Sequence, residues 1–129
     1  MSVTPAQEGR KALEAVASRT DTLHQIVHCA AKAAKSSLLE VDPDLISACV
    51  AVNGLGLIYV TQAALPLLKE GSTIFYAASR GAEVVVPEYG PLGIPKALGE
   101  HIVHYIPPVS AVVRRIHATR AVDRYMLDA

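Results

Sequence analysis

Tyr89 and Lys96 stand seven residues apart in Tyr89-Gly90-Pro91-Leu92-Gly93-Ile94-Pro95-Lys96. On a helix that spacing is almost two turns, so both side chains would project from one face. A phenol titrates near ~10 in isolation, and a fixed ammonium beside it favours the ionised form and lowers that value. A tyrosine so placed can pass a proton to or from a reacting oxygen near neutral pH. An ordinary amphipathic segment produces the same spacing by chance, so the pair takes its meaning from the elements around it.

Those elements alternate. Thr4-Pro5 is a helix start, followed by the apolar stripe Ala12, Leu13, Ala15 and Val16. The run from Leu23 to Cys29 reads as a short buried strand ending at Ala30-Ala31. Asp42-Pro43 opens the next helix with an N-cap residue and a proline at its first position. From Leu45 to Leu68 no residue is charged, Gly71-Ser72 closes that element, and Thr73 to Ala78 reads as a second buried strand. A loop from Ser79 to Glu88 leads into a helix from about Gly90 to Tyr105, stopped by Pro107-Pro108. Pro95 lies inside it and cannot donate to the carbonyl four residues back, a defect of about 3 kcal/mol in a helix interior. In the tail, Ser110 could cap a helix reaching Met126, while Val109 to Ile116 equally reads as a strand. This order predicts a single α/β domain with parallel strands.

Composition narrows the possible functions. The 129 residues carry 12 Lys+Arg and 12 Asp+Glu with 5% aromatics, so no basic face for nucleic acid or anionic lipid is expected. Cys29 and Cys49 belong to no disulfide framework or zinc spacing and read as small buried hydrophobes of a cytoplasmic protein. His101 and His104 are three apart on a helix without an evident third ligand, so no metal is expected. His28 reads as a strand-end residue, and Arg114, Arg115 and Arg120 as a solvated face. Hydrophobic residues reach 51%, with mean hydropathy +0.31. A domain this small exposes much of its surface, so the excess implies a face covered by a partner subunit, by more of the same fold, or by lipid. The uncharged stretch is 24 residues, enough to span a bilayer at ~20, but Asn53, Gly54, Gly56, Thr61, Gln62 and Pro66 make a buried helix the better reading.

Three blocks together resemble the short-chain dehydrogenase/reductase family, in its divergent branch of enoyl-acyl-carrier-protein reductases. They are Val27-His28-Cys29-Ala30-Ala31 at a strand end, Val52-Asn53 in the long helix, and Ser79-Arg80-Gly81-Ala82-Glu83 with Pro87-Glu88-Tyr89 and Leu92-Gly93-Ile94-Pro95-Lys96. The Gly-Ala-Glu, the proline two before the tyrosine and the lysine seven after it are the enoyl-reductase pattern. The resemblance covers roughly residues 6–106. It implies a partial Rossmann-like three-layer fold that lacks the first βαβ units, in a single domain, residues 1–129, truncated at both ends. It implies Tyr89 as proton donor or oxyanion stabiliser and Lys96 as the group that holds the nicotinamide ribose. Ser79 falls where such reductases often carry a second tyrosine, and its hydroxyl could bond a substrate oxygen. Asn53 would support a water relay to Lys96, and His28, Cys29, Ala30 and Ala31 would line the cofactor.

The resemblance further implies NADPH or NADH as cofactor, an acyl thioester or small carbonyl as substrate, and a homo- or hetero-oligomer. The glycine-rich strand–turn–helix that receives a pyrophosphate is not among these 129 residues. The match begins as though roughly sixty or more residues of such a fold preceded it. Two further readings follow: a non-catalytic subunit that keeps the reductase's dimer helices, and a membrane-associated chain using Leu45–Leu68.

Overall fold

The computed structural model describes residues 4–107 and 118–119. Helix α1 runs Pro5–Ala17 and strand β1 Leu23–His28. Helix α2, Pro43–Val50, continues through a π-helical turn, Ala51–Leu55, into α3, Gly56–Ala64, and a 3-10 turn at Leu65–Leu67. Strand β2 is Leu68–Ala77, α4 is Gly90–Tyr105, and β3 is Ala118–Thr119. The strands pair in the order β1-β2-β3, all parallel. The expected α/β alternation with a parallel sheet is what forms.

The helix starts follow from their caps. Thr4 accepts from the Gln7 amide while Gln7 reaches back to the Thr4 amide, a reciprocal capping box. Asp42 accepts from the amides of Asp44 and Leu45, with Pro43 preset for the first turn. Helix α4 passes through Pro95 without a break and keeps that proline buried.

One face of the sheet meets the helices. Ile74 and Tyr76 from β2 join Leu57 and Ala64 of α3, Ile102 of α4, and Leu68 in the core. Helix α1 packs against α3, and α4 against the π-helical turn and β2. Strand β1 is less covered than expected. Of its six residues only His28 is buried, and Val27 is 63% exposed. A parallel strand is buried on both faces only when both carry helices and both edges are paired. Among the described residues β1 has one neighbour, so the expectation of a buried strand fails there. Cys29, expected to be buried, steps off the strand into solvent, whereas Cys49 is buried.

The second strand begins earlier than its apolar run suggests. Gly71-Ser72 does not end a helix; it forms an irregularity inside β2, where the register slips between Leu23↔Leu68 and Gln25↔Thr73. Gly71 has φ +88, a left-handed conformation that a side chain would strain. Ser72 then donates to the Leu23 carbonyl at 2.6 Å and accepts from the Lys69 amide, satisfying the slipped backbone. The glycine does mark a turn-like backbone, but within a strand.

The uncharged stretch lies in the helix Pro43–Leu67, 25 residues with an 18-residue window of mean hydropathy 1.6, which by length and composition is able to cross a membrane. That window is 33% buried within the fold, and the buried residues along the helix include Cys49, Asn53, Gly54, Gly56, Leu57, Thr61 and Ala64. It is a core helix with part of its surface uncovered. The readings of the tail from Val109 to Ile116 and on to Met126, with Arg114, Arg115 and Arg120, lie outside the described residues.

Candidate functional site

Two of the chemically active side chains are anchored on the same three residues, Ala77-Ala78-Ser79, at the C-terminal end of β2. Lys96 donates from Nζ to the Ala77 carbonyl at 2.9 Å. The Ser79 and Tyr89 hydroxyls share a hydrogen bond at 3.0 Å. Tyr89 is not inside the helix but is its N-cap residue (φ −98, ψ 0), with its carbonyl accepting from the Gly93 amide at 2.8 Å. Each side chain is tied to the strand end by its own hydrogen bond.

Close backbone contacts fix Tyr89. Its ring lies on Gly81, where a Cβ would collide with it, and a Cβ on Gly93 would come within 2.6 Å of the Gly81 carbonyl. Ser79 caps the 3-10 turn Arg80–Ala82 by accepting from the Gly81 amide. Just before Tyr89, Glu88 holds φ +60, a conformation uncommon for a residue with a side chain. Its carbonyl accepts from the Ser36 amide at 3.0 Å, tying the tyrosine loop to the segment after β1. An exposed Lys35–Glu88 ion pair lies alongside and contributes little stability. Tyr89 lines a cleft of about 550 Å³ whose walls are mainly apolar, from Leu38, Val84, Val85, Val86 and Ile94. Its size suits a small-molecule site.

Lys96 is 5% exposed, which for an ammonium requires compensation. Besides the Ala77 carbonyl, its Nζ lies 5.0 Å from the centroid of the Tyr76 ring. Tyr76 is fully buried, stacks on His28 with ring centroids 5.5 Å apart, and donates its hydroxyl to the Asn53 carbonyl. Burial, and secondly the Glu100 carboxylate, push its phenol well above the usual range, so it remains a neutral donor. His28 is held below the ordinary histidine value by burial first and by Lys96 second, which keeps it neutral.

Asn53 occupies the π-helical turn, and its backbone carbonyl accepts from the Tyr76 hydroxyl. Its side-chain amide donates to the carbonyls of Lys32 (2.6 Å) and Cys49 (2.9 Å), pinning the post-β1 segment to the long helix. Its Oδ1 is buried without a hydrogen-bond partner among the described residues, as is Nδ1 of His28. Cys29, Ala30 and Ala31 follow His28 in exposed positions. His101 and His104 are exposed with rings 5.9 Å apart, and no cluster of three metal-ligating side chains occurs among the described residues.

Sequence reasoning passed over Tyr76 and Gly99. A Cβ on Gly99 would collide with the Tyr76 hydroxyl and ring, so the glycine makes room for the phenol. The available signals were a tyrosine in a strand, whose hydroxyl needs a buried partner, and a glycine in a helix interior.

A family model described as enoyl-(acyl carrier protein) reductase matches residues 1–108. The chain belongs to that family. It is 29% identical over 108 residues to the NADH-dependent enoyl-[acyl-carrier-protein] reductase FabI of Bacillus subtilis (strain 168), covering 81% of this chain and 42% of that protein. The enoyl-[acyl-carrier-protein] reductase (NADH) structure from Aquifex aeolicus VF5 superposes with TM-score 0.79 at 27% identity, covering 89% of this chain and 48% of that one. The Bacillus cereus enoyl-acyl carrier protein reductase, solved with NADP+ and indole naphthyridinone, has the same fold at TM-score 0.79 and 24% identity, over 93% of this chain and 49% of its own. The Rossmann-like short-chain reductase fold is thereby established, and the chain spans less than half the length of these relatives. Within the enoyl-(acyl carrier protein) reductase family, the sequence resemblance carried by Tyr89 and Lys96 now has a structure around it: two side chains fixed on one strand end, of which Tyr89 lines an apolar cleft.

Proposed function

We propose that this chain contributes the proton-donating half of a nicotinamide-dependent enoyl-(acyl carrier protein) reductase. The observation that carries this reading is that the Tyr89 hydroxyl and the Lys96 ammonium are both held on Ala77-Ala78-Ser79, with Tyr89 also lining the apolar cleft. The cleft takes the acyl part of a thioester against its apolar walls. Tyr89 supplies a proton or a hydrogen bond to the oxygen of the substrate, and the Ser79 hydroxyl orients the phenol and relays the hydrogen-bond chain. The fixed charge of Lys96 favours negative charge developing nearby.

The donor set suits the nicotinamide–ribose end of a dinucleotide. Lys96 would hold the ribose, and His28, Cys29, Ala30 and Ala31 would border it at the end of β1, as in the resemblance. When bound, the nicotinamide supplies the hydride, while the protein supplies orientation and the proton. Asn53 contributes by fixing the wall of this region through Lys32 and Cys49. The pyrophosphate end calls for a glycine-rich turn at a helix N-terminus, a feature not among these residues. We place the protein in the cytoplasm, in an oligomer of reductase subunits.

The test is direct. NADH and NADPH fluorescence are titrated with the protein, and oxidation is followed with an enoyl thioester. Binding with turnover that falls at least ~100-fold in Tyr89→Phe is the expected result. No cofactor binding at millimolar concentration overturns the catalytic reading. In that case the uncovered faces of α3 and α4, which enclose a second cleft of about 430 Å³ with Ile58, Leu98 and Tyr105, favour a subunit that acts by association.

A further inference from the structure

We propose that Tyr76 is the positioning residue of Lys96: its ring face seats the buried ammonium, and its own place is set by the Asn53 carbonyl, the His28 ring and the gap at Gly99. The proposal rests on the functional reading only for what the seated ammonium then does.

A buried ammonium on a flexible four-carbon stem has many rotamers and a large desolvation cost. The Ala77 carbonyl fixes one direction at 2.9 Å. A ring centroid 5.0 Å from Nζ provides a second attraction, through the negative face of the aromatic quadrupole. That attraction counts most where water is excluded, and here Lys96 is 5% exposed and Tyr76 is not exposed at all.

The ring is itself immobilised by three independent contacts. Its hydroxyl donates to the Asn53 carbonyl in the π-helical turn. The His28 imidazole stacks on it at 5.5 Å with an interplanar angle of 26°. Gly99, one turn beyond Lys96 on α4 (three residues on), leaves open the space that the phenol fills. A leucine would keep the position apolar, though smaller, yet offer the ammonium no quadrupole. A phenylalanine would keep the quadrupole and lose only the anchor on Asn53. The order of these effects distinguishes a seat from ordinary packing.

The experiment is carried out on the full chain, with position 76 changed from Tyr to Phe and then to ring-fluorinated phenylalanines of nearly unchanged shape. Each added fluorine weakens the negative ring face. Amine acetylation at Lys96 is read by mass spectrometry, with exposed Lys11, Lys35 and Lys69 as internal references. Labelling of Lys96 is expected to rise in steps along the fluorine series, reaching roughly tenfold, while the reference lysines stay constant. Tyr76→Phe alone should change it by less than about threefold. A Lys96 rate that is flat across the series overturns the seat, as does a rise matched by a falling melting temperature, which would report loosening of the whole fold; the exposed lysines correct for reagent alone. NADH and NADPH titrations of the same proteins test what the seat serves. Dissociation constants that rise in step with labelling support positioning for the cofactor, and constants unchanged across the series overturn it. If the wild-type chain binds neither cofactor, the functional reading fails while the labelling series still decides the seat.

Discussion

His28 shows how one buried side chain gives the protein a pH dependence. Its folded-state value is depressed, by burial and then by Lys96, from an ordinary 6.5. Above that value both folded and unfolded chains hold neutral imidazole, and the group contributes nothing. As pH falls below about 6.5 the unfolded chain takes up the proton first, so stability is lost on acidification. Melting temperature should therefore be level from pH 7 to 8 and decline from 6.5 downward more steeply than in His28→Phe, as measured by circular dichroism. Equal slopes in the two proteins would remove His28 as the cause. At this scale the sequence was legible where residue order carries a motif, as for Tyr89 and Lys96. It was silent on Tyr76, because an aromatic in an apolar strand looks the same whether it fills space or seats a charge.

Elements were legible wherever chain chemistry punctuates them. Thr4-Pro5 and Asp42-Pro43 mark helix starts by a mechanism, side-chain oxygen to free amide, that operates locally and needs no tertiary contact. Replacing the second cap, Asp42→Ala, should cost about 1 kcal/mol in a urea unfolding curve at unchanged slope. No loss of stability would mean that tertiary contacts alone hold the head of α2. The irregular β2 was illegible for the opposite reason. Gly71-Ser72 is local turn chemistry, but whether a turn ends an element or bulges within it depends on a partner strand, and here the Ser72 hydroxyl reaches Leu23 across 49 positions of sequence. The π-helical turn was hidden in the same way, since its Asn53 carbonyl is used by a side chain from the sheet, Tyr76.

For the whole molecule, the high apolar content corresponds to surface left uncovered. Leu39 and Val85 are almost wholly exposed, at 96% and 97%, and Val27 lies outward on a strand with one neighbour among the described residues. Such an edge offers unpaired backbone groups to other chains. Val27→Lys should raise the concentration at which light scattering first appears, with little change in melting temperature, because a charge on an open edge discourages strand addition. An unchanged threshold would shift attention to the α3–α4 cleft as the associating surface. The overall topology could be read from the alternation of elements, whereas the extent of cover over β1 could not, since an apolar run reads the same whether one face or both carry helices.

Gly99 and Tyr76 have a consequence for how this protein can change. The helix position cannot gain even one carbon while the phenol is present. The phenol, in turn, would leave a void if it shrank beside a bare glycine. Neither substitution is open by itself, so the two positions form a single heritable choice, and the setting of the Lys96 charge travels with it.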